Sequence, residues 1–170
     1  VLEREGARVV GGWFSRPAPP PLAFAQGEAL LAALGLRQTA SPLTVYDNGM
    51  RHALVHLATH AEVAELQPDL EAVSRVPVDT VDVVAWDGEE ALLRVFAPAH
   101  GVYEDPATGS AAAPVFRHLV EHAGLDPRST LPIRQGEHLR RPSLIDVRQS
   151  SDSTDASPQI EVGGRGVVVA

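Results

Sequence analysis

The residues best suited to chemistry lie in one segment, FAPAHGVYEDPATGSAAAP, at residues 96–114. Pro106 biases Asp105 toward an extended backbone and prevents a helix from beginning earlier. Gly109 has no side chain, so a ligand can approach the backbone there. We predict that the free N–H groups of a helix beginning near Ser110 bind an anion such as a substrate carboxylate. Asp105 would lie beside this anion site and accept a hydrogen bond from a hydroxyl or amine of the same ligand.

Two other interpretations of this segment remain open. An Asp turn followed by a helix cap, with no ligand, uses the same residue types. A Ser/His hydrolase could use Ser110 with His100 and Asp105, although the chain has no G-x-S-x-G elbow. Glu104 and Asp105 are neighbours in extended chain, so their side chains should point in opposite directions and only one should face a ligand.

A helix over residues 110–123 is predicted by apolar residues at the i, i+3, i+4, i+7 spacing. Its predicted buried face consists of Ala112, Val115, Phe116, Leu119, Val120 and Ala123. On the other face, His118, Glu121 and His122 match the H-x-x-E-H zinc signature. Arg117 shares that face, and a solvent-exposed polar face explains the same residues, so we predict no metal site there.

Three histidines, His52, His56 and His60, are spaced at four-residue intervals, which would align them on a helix. The segment follows a turn, however, and its residues alternate as in a strand. We therefore predict a strand with outward-facing histidines, whose rings are too far apart to bind one metal ion.

The composition excludes whole classes of chemistry. The sequence has no Cys, which excludes disulfides, thiolate nucleophiles and Cys-ligated metals. All 14 basic residues are Arg, and the lack of Lys excludes Schiff bases and P-loop nucleotide binding. The net charge of −8 makes nucleic acid and anionic membranes poor partners. No apolar stretch is long enough for a membrane span and no secretory signal is visible, so we expect a cytoplasmic protein.

The elements that must position these residues are short and mixed. Helices are predicted at residues 26–36, at 61–74 with a break near Pro68, and at 110–123. Strands are predicted at 6–14, 42–46, 50–59, 76–86, 91–96, 131–133, 143–147 and 159–170, with a stiff proline-rich connection at 15–21 and a loop at 97–108. Many short strands with few helices indicate an α+β fold, and the short strand separations favour antiparallel pairing.

The segment at residues 96–114 resembles the signature of the PhzF-like phenazine biosynthesis isomerase family. The resemblance continues through Gln135-Gly136-Glu137, Arg141-Pro142-Ser143 and Ile160-x-Val162-Gly163-Gly164. It covers essentially the whole chain, with the motifs in the family's order and spacing. The combination of E-D-P-x-T-G-S with Q-G and R-P-S is far more specific than a single glycine motif.

The resemblance implies the diaminopimelate-epimerase-like fold, in which two similar α+β halves each wrap a sheet or barrel around a central helix. The active site of this fold lies in the cleft between the halves. The helix at 110–123 would be the central helix of the second half. Residues 1–40 would be the end of the N-terminal half and the crossover, residues 41–155 the C-terminal half, and residues 156–170 terminal strands that return toward the N-terminal half.

The resemblance also implies cofactor-independent isomerisation or epimerisation, by acid/base proton transfer on a small metabolite that carries a carboxylate. The family includes the dihydro-hydroxyanthranilate isomerase of phenazine synthesis. Asp105, Thr108, Gly109 and Ser110 match substrate-binding residues of the family, and Asp105 and Ser110 are the expected catalytic residues. We expect neither a cofactor nor a metal.

One part of the family pattern has no counterpart in this chain. The family's acid/base Glu and a G-H motif both belong to the first half, and the chain begins with Val1 and has Met50 as its only Met. We therefore expect the C-terminal part of a longer enzyme, which by itself binds substrate weakly without turnover. We also expect it to pair as a homodimer or with the missing half. The alternative is a non-catalytic module that binds a small carboxylate or pairs with another subunit.

Overall fold

The computed structural model describes residues 1–154 and 158–166. Within these residues the helices are α1 (Gly27–Leu34), α2 (His60–Glu65), α3 (Leu70–Ser74) and α4 (Gly109–His122), with a 3-10 turn at Pro98–His100. The strands are β1 (Leu2–Glu5), β2 (Arg8–Pro17), β3 (Pro21–Leu22), β4 (Thr44–Asp47), β5 (Arg51–His56), β6 (Thr80–Trp86), β7 (Ala91–Ala97), β8 (Val102–Asp105), β9 (Thr130–Gln135), β10 (Ser143–Gln149) and β11 (Gln159–Arg165). None of these helices is long and apolar enough to cross a membrane.

The strands form a mixed sheet in the order β1-β2-β11-β10-β9-β7-β6-β5-β4-β3, and β8 pairs with β7. The predicted antiparallel pairing is correct for the described strand pairs except two, because β5–β6 and β7–β9 are parallel. Parallel neighbours need a crossover connection. Helices α2 and α3 lie in the first of these connections, and α4 lies in the second.

The proline-rich connection predicted at residues 15–21 is shorter in the structure. Strand β2 runs to Pro17 and pairs with β11 from Gly11 onward. A proline at the end of a strand is compatible with the ladder, so residues 18–20 alone separate β2 from β3. The loop predicted at 97–108 likewise contains the 3-10 turn and strand β8.

The terminal segment predicted at 156–170 is described only from residue 158 to residue 166. This part forms β11, which pairs with β10 on one side and with β2 on the other. Strand β11 therefore joins the first strands of the chain to the C-terminal strands. Residues 155–157 and 167–170 lie outside the described residues.

Helix α4 is central to the larger apolar core. The cluster that contains its buried side chains draws residues from strands along most of the sheet, from Tyr46 on β4 through Leu93 on β7 to Val162 on β11. Because these strands span most of the strand order, the sheet curls around α4. The structure thus has the central helix that the family resemblance implies.

The second apolar cluster lies on the opposite face of β5, β6 and β7, under α1, α2 and α3. Leu54 belongs to the α4 cluster whereas its neighbours Ala53 and Val55 belong to the second, as strand alternation requires. Strand β5 is therefore buried on both faces. The prediction of outward-facing histidines on this strand is wrong for this reason, since His52 and His56 are both buried on the same face as Leu54.

Candidate functional site

Strand β8 carries its two neighbouring carboxylates on opposite sides, which confirms the prediction from alternation. Glu104 forms a bidentate ion pair with Arg94, with N–O distances of 3.0 and 2.9 Å, and both side chains are buried. Arg94 also donates hydrogen bonds to the carbonyls of Val63 and Leu66, near the end of α2. Glu104 is therefore used within the fold, and Asp105 is the carboxylate available at the start of α4.

Asp105 begins a compact turn that leads into α4. Its Oδ2 accepts a hydrogen bond of 2.6 Å from Thr108 Oγ1. Its Oδ1 lies 3.4 Å from the backbone nitrogen of Ala107, which is a long and weak contact. The carboxylate is thus held against the turn by one strong bond, and Oδ1 keeps the capacity to accept a hydrogen bond from a ligand.

The start of α4 offers the backbone donors predicted from the sequence. The first turn of the helix is closed by a hydrogen bond from Ala111 N–H to the carbonyl of Thr108, 3.1 Å long. The N–H groups of Gly109 and Ser110 precede this bond and have no partner within the helix. A Cβ added at Gly109 would meet nothing within 4 Å. A ligand can therefore reach these donors, at the end of the helix where the dipole is positive.

A proline inside α4 explains how the β4–β5 turn is attached to this site. Pro114 has no N–H, so the carbonyl of Ser110 loses its helical donor, and the ring pushes that carbonyl outward. Asn48 of the β4–β5 turn replaces the donor, since its Nδ2 bonds to the Ser110 carbonyl at 2.8 Å. Arg16 donates in turn to the carbonyl of Asn48 at 3.2 Å. Arg16 and Asn48 also line an open pocket.

Thr108 differs from the other predicted binding residues because its polar groups are used within the protein. It is buried, and its N–H donates to Gln135 Oε1 at 2.9 Å. Its hydroxyl donates to Asp105 and accepts from Gln135 Nε2 at 2.9 Å. Thr108 thus connects Asp105 to Gln135, and Asp105, Gly109 and Ser110 are the predicted site residues that remain available to a ligand.

The residues predicted for a Ser/His hydrolase do not come together in the described part of the chain. Ser110 Oγ forms no hydrogen bond with either His100 or Asp105. His100 Nε2 instead lies 3.0 Å from Asp79 Oδ1 at an exposed position. The geometry supplies no general base for Ser110, so the nucleophilic interpretation lacks support.

The prediction of a solvent-exposed face on α4 is wrong for His118, which is fully buried. His118 Nε2 is 2.6 Å from Ser41 Oγ, and its Nδ1 is 3.2 Å from Tyr46 OH. Burial, together with the neighbouring His122 and His56, lowers the pKa of His118 to about 3. The imidazole is therefore a neutral hydrogen-bonding group of the core.

Among the described residues, three possible metal ligands lie close together away from α4: His60 of α2, and Asp87 and Glu90 of the β6–β7 turn. Both carboxylates already have donors. Asp87 Oδ1 accepts from two backbone N–H groups of the turn, and Glu90 Oε1 accepts from Arg134 at 2.6 Å. Turn formation and ion pairing account for this cluster, and the guanidinium opposes the approach of a cation.

A buried His–Asp pair is the polar feature that sequence reasoning missed most completely. His52 Nδ1 is 2.7 Å from Asp82 Oδ2 and 2.8 Å from Thr80 Oγ1, and the pair is fully buried. Burial lowers the pKa of His52, but the Asp82 charge and hydrogen bond, with the Asp79 charge, outweigh it, so the net shift is upward. No signal in the sequence indicated this pair, because a single sequence does not reveal that the two buried strands β5 and β6 lie side by side.

In a comparison with known families, the chain matches the family described as phenazine biosynthesis-like protein over residues 2–170. The chain is similar to a trans-2,3-dihydro-3-hydroxyanthranilate isomerase of Pseudomonas aeruginosa, with 38% identity over 170 residues that cover 100% of this chain and 61% of the relative. A protein of the same name from Pseudomonas chlororaphis is 37% identical over 98% of this chain and 59% of its own length. The chain thus spans about three fifths of the length of these relatives.

Solved structures share the fold. A phenazine biosynthesis protein of the PhzF family from Bacillus anthracis superposes with a TM-score of 0.76 at 20% identity, over 98% of this chain and 61% of that structure. A predicted epimerase from Pseudomonas aeruginosa gives a TM-score of 0.71 at 26% identity, with the same coverage of both chains. The predicted α+β class with a diaminopimelate-epimerase-like fold is therefore confirmed.

Proposed function

Since the chain belongs to the phenazine biosynthesis-like protein family, we propose that it forms the substrate-carboxylate-binding part of an isomerase. The enzyme would work without a cofactor, by acid/base proton transfer on a small carboxylate metabolite. The observation that carries this proposal is the pairing of open backbone donors at Gly109 and Ser110 with the carboxylate of Asp105 in one turn.

The substrate carboxylate would bind at the start of α4. The N–H groups of Gly109 and Ser110 point out of the helix end, where the aligned peptide dipoles amount to roughly half a positive charge. Ser110 belongs to the same first turn, and its hydroxyl would add a further donor. Small side chains at residues 111–113 are packed into the core, so they do not obstruct this end of the helix.

Asp105 would orient the ligand once its carboxylate is bound. The Asp105 side chain accepts hydrogen bonds and cannot donate them while it is ionised, so its partner must be a hydroxyl or an amine. Because Thr108 occupies Oδ2, the ligand would be met by Oδ1. A substrate with a carboxylate and a neighbouring hydroxyl or amine is therefore the class that fits both groups. The name of the Pseudomonas relatives specifies a ligand of this class.

We further propose that the residue which moves the proton lies in the part of the relatives that this chain does not match. Loss of a general acid or base lowers rates by roughly 10² to 10⁴. The chain by itself should then bind the substrate weakly and fail to isomerise it. Asp105 and Ser110 would hold the substrate in place while the proton moves.

The test is a titration of the isolated chain with trans-2,3-dihydro-3-hydroxyanthranilate, followed by amide NMR. We expect saturable shifts at the N–H groups of Gly109 and Ser110. Asp105→Asn should weaken binding about tenfold or more, since hydrogen bonds to charged groups contribute about 1.5–3 kcal/mol. The matched control is Asp126→Asn, because Asp126 is an exposed carboxylate paired with Arg128 away from the site.

Solvent exchange separates binding from catalysis. In D₂O the isolated chain should leave the carbon-bound positions of the substrate free of deuterium while the NMR shifts show that it is bound. Deuterium incorporation by this chain alone would contradict the assignment of the proton-transfer residue to the unmatched part. A lack of shifts at Gly109 and Ser110 at saturating ligand would contradict the binding site itself.

A further inference from the structure

The amide of Gln135 lies beneath the turn that carries the proposed binding groups. Gln135 ends strand β9 and is fully buried. Its Nε2 donates to the carbonyl of Asp105 at 2.7 Å, and its Oε1 accepts from the N–H of Thr108 at 2.9 Å. We propose that Gln135 is a positioning residue that fixes residues 105–108 and, through them, the groups offered to the ligand. The positioned groups matter for binding only if the proposed function holds.

Both ends of the Gln135 amide are needed, and their orientation is determined by the partners. The Thr108 N–H can only donate, so it requires the amide oxygen, while the Asp105 carbonyl can only accept and requires the amide nitrogen. A further bond of 2.9 Å runs from Gln135 Nε2 to Thr108 Oγ1. The amide therefore spans the turn from its first residue to its last and prevents the two ends from moving apart.

The neighbours of Gln135 hold the middle of the same turn. Ser143, which begins β10, donates from Oγ to the carbonyl of Pro106 at 2.9 Å. Gly136 has a φ of +80°, and a Cβ there would lie 2.7 Å from the Pro106 carbonyl oxygen and would also strike the carbonyl of Arg141. The Gln135-Gly136 and Ser143 motifs are thus explained together, because each one satisfies or accommodates the backbone of the 105–108 turn.

The position of this turn determines where the binding groups stand. Asp105 is its first residue, and Gly109 follows its last residue directly at the start of α4. A change of backbone angles between them would rotate the carboxylate relative to the helix donors. Gln135 has no exposed atom that could touch a ligand. Its effect on binding must therefore pass through the turn.

The experiment compares Gln135→Met with Gln149→Met. Methionine keeps the length of the side chain and removes the amide, and Gln149 lies at an exposed position on β10, bonded to Ser153. Amide hydrogen exchange under native conditions should become about tenfold faster or more at Thr108 in the Gln135 variant, because its N–H loses a buried acceptor. Exchange at Leu119, in the second half of α4, should change less than about threefold. The Gln149 variant should match the unmodified chain at both amides.

A ligand titration with trans-2,3-dihydro-3-hydroxyanthranilate completes the test. Gln135→Met should weaken binding about tenfold, and Gln149→Met should leave it unchanged. Faster exchange at Thr108 with unchanged affinity would overturn the positioning role, and so would unchanged exchange. If the unmodified chain binds no ligand, the proposed function fails, while the exchange at Thr108 still decides whether Gln135 fixes the turn. If Gln135→Met does not fold, Ser143→Ala removes the bond to Pro106, and it should speed exchange at Thr108 in the same direction by a smaller factor.

Discussion

The start and the second half of helix α4 satisfy the hydrogen-bonding capacity of their polar groups in opposite ways. At the start, residues 109–113 are small, and the groups that stabilise this end come from other elements. Asn48 satisfies the Ser110 carbonyl, and Gln135 satisfies the Thr108 N–H that precedes the helix. In the second half, the helix contributes one large polar side chain of its own, His118, to the core.

The second half is built around His118. Ser41 Oγ bridges His118 Nε2 at 2.6 Å and His56 Nδ1 at 3.1 Å, and Tyr46 OH lies between His118 Nδ1 and Glu121 Oε2. The imidazoles of His56 and His118 meet edge to face, with ring centroids 5.9 Å apart. The polar groups of this network bond to one another, which leaves little capacity for a ligand.

The comparison shows how one helix can serve both binding and stability. A binding site needs hydrogen-bond donors that are held in place but are not already bonded. The residues that hold such donors must therefore contact the neighbouring backbone and leave the donors themselves free. A core needs every polar group bonded, because an unsatisfied buried group costs about 1–3 kcal/mol. Mutations that affect the start of α4 should therefore change stability by disturbing its contacts with other elements. Mutations in the second half should change stability by breaking the hydrogen bonds around His118.

The largest effect should come from Gly136→Ala, which disturbs the packing of Gly136 against the 105–108 turn at the start of α4. A Cβ there meets two carbonyl oxygens of the backbone, and the φ of +80° is unfavourable for alanine. The two costs together should lower the free energy of unfolding by about 3 kcal/mol. Gly88→Ala is the matched control, because Gly88 has a φ of +103° with nothing within 4 Å of an added Cβ. Urea denaturation should give about 1–2 kcal/mol for the control, and equal losses for both variants would show that the close approach to Pro106 is unimportant.

A smaller loss of stability is expected when the hydrogen bond from Asn48 to the start of the helix is removed. Asn48→Ala leaves the Ser110 carbonyl without a donor and should cost about 1–2 kcal/mol. Pro114→Ala returns a backbone N–H to the helix, so the same Asn48 change should cost about 1 kcal/mol less in that background. A double-mutant cycle from urea denaturation measures this coupling. Strictly additive changes would mean that Asn48 does not substitute for the donor that Pro114 lacks.

The sequence predicted the start of α4 better than its second half, for a physical reason. Turn and helix signals are local: Pro106 and Gly109 determine nearby backbone whatever packs against them, and the helix boundary was correct to one residue. The long connection from Gln135 back to Asp105 spans 30 residues. The sequence displayed Gln135 only as part of a family motif, and its bonding partners depend on how β9 lies against the turn.

The failures concern burial of polar residues. His52, His56 and His118 were expected to face solvent because an isolated strand or helix with histidines on one side is usually amphipathic. Both faces of β5 are buried because α4 covers one of them and α1, α2 and α3 cover the other. That arrangement is a property of the folded sheet, and no local period of the sequence encodes it. Pairing of His52 with Asp82 could be inferred only after β5 and β6 were placed side by side.

The smallest predicted effect tests the second half of α4 through its pH dependence. The pKa of His118 is about 3 in the folded chain, against an ordinary value near 6.5. Below pH 6.5 the unfolded chain takes up a proton that the folded chain does not, so stability is fully present above pH 6.5 and is lost as the pH falls toward 3. His118→Gln removes this titration but keeps a polar group that can reach Ser41. Between pH 6 and pH 5 the unmodified chain should lose about 1 kcal/mol more stability than the variant, as measured by urea denaturation.

The exposed His138 is the control, since His138→Gln should follow the unmodified chain. Parallel losses in the unmodified chain and in His118→Gln would show that the neutral imidazole of His118 is not what makes this half of the helix sensitive to acid.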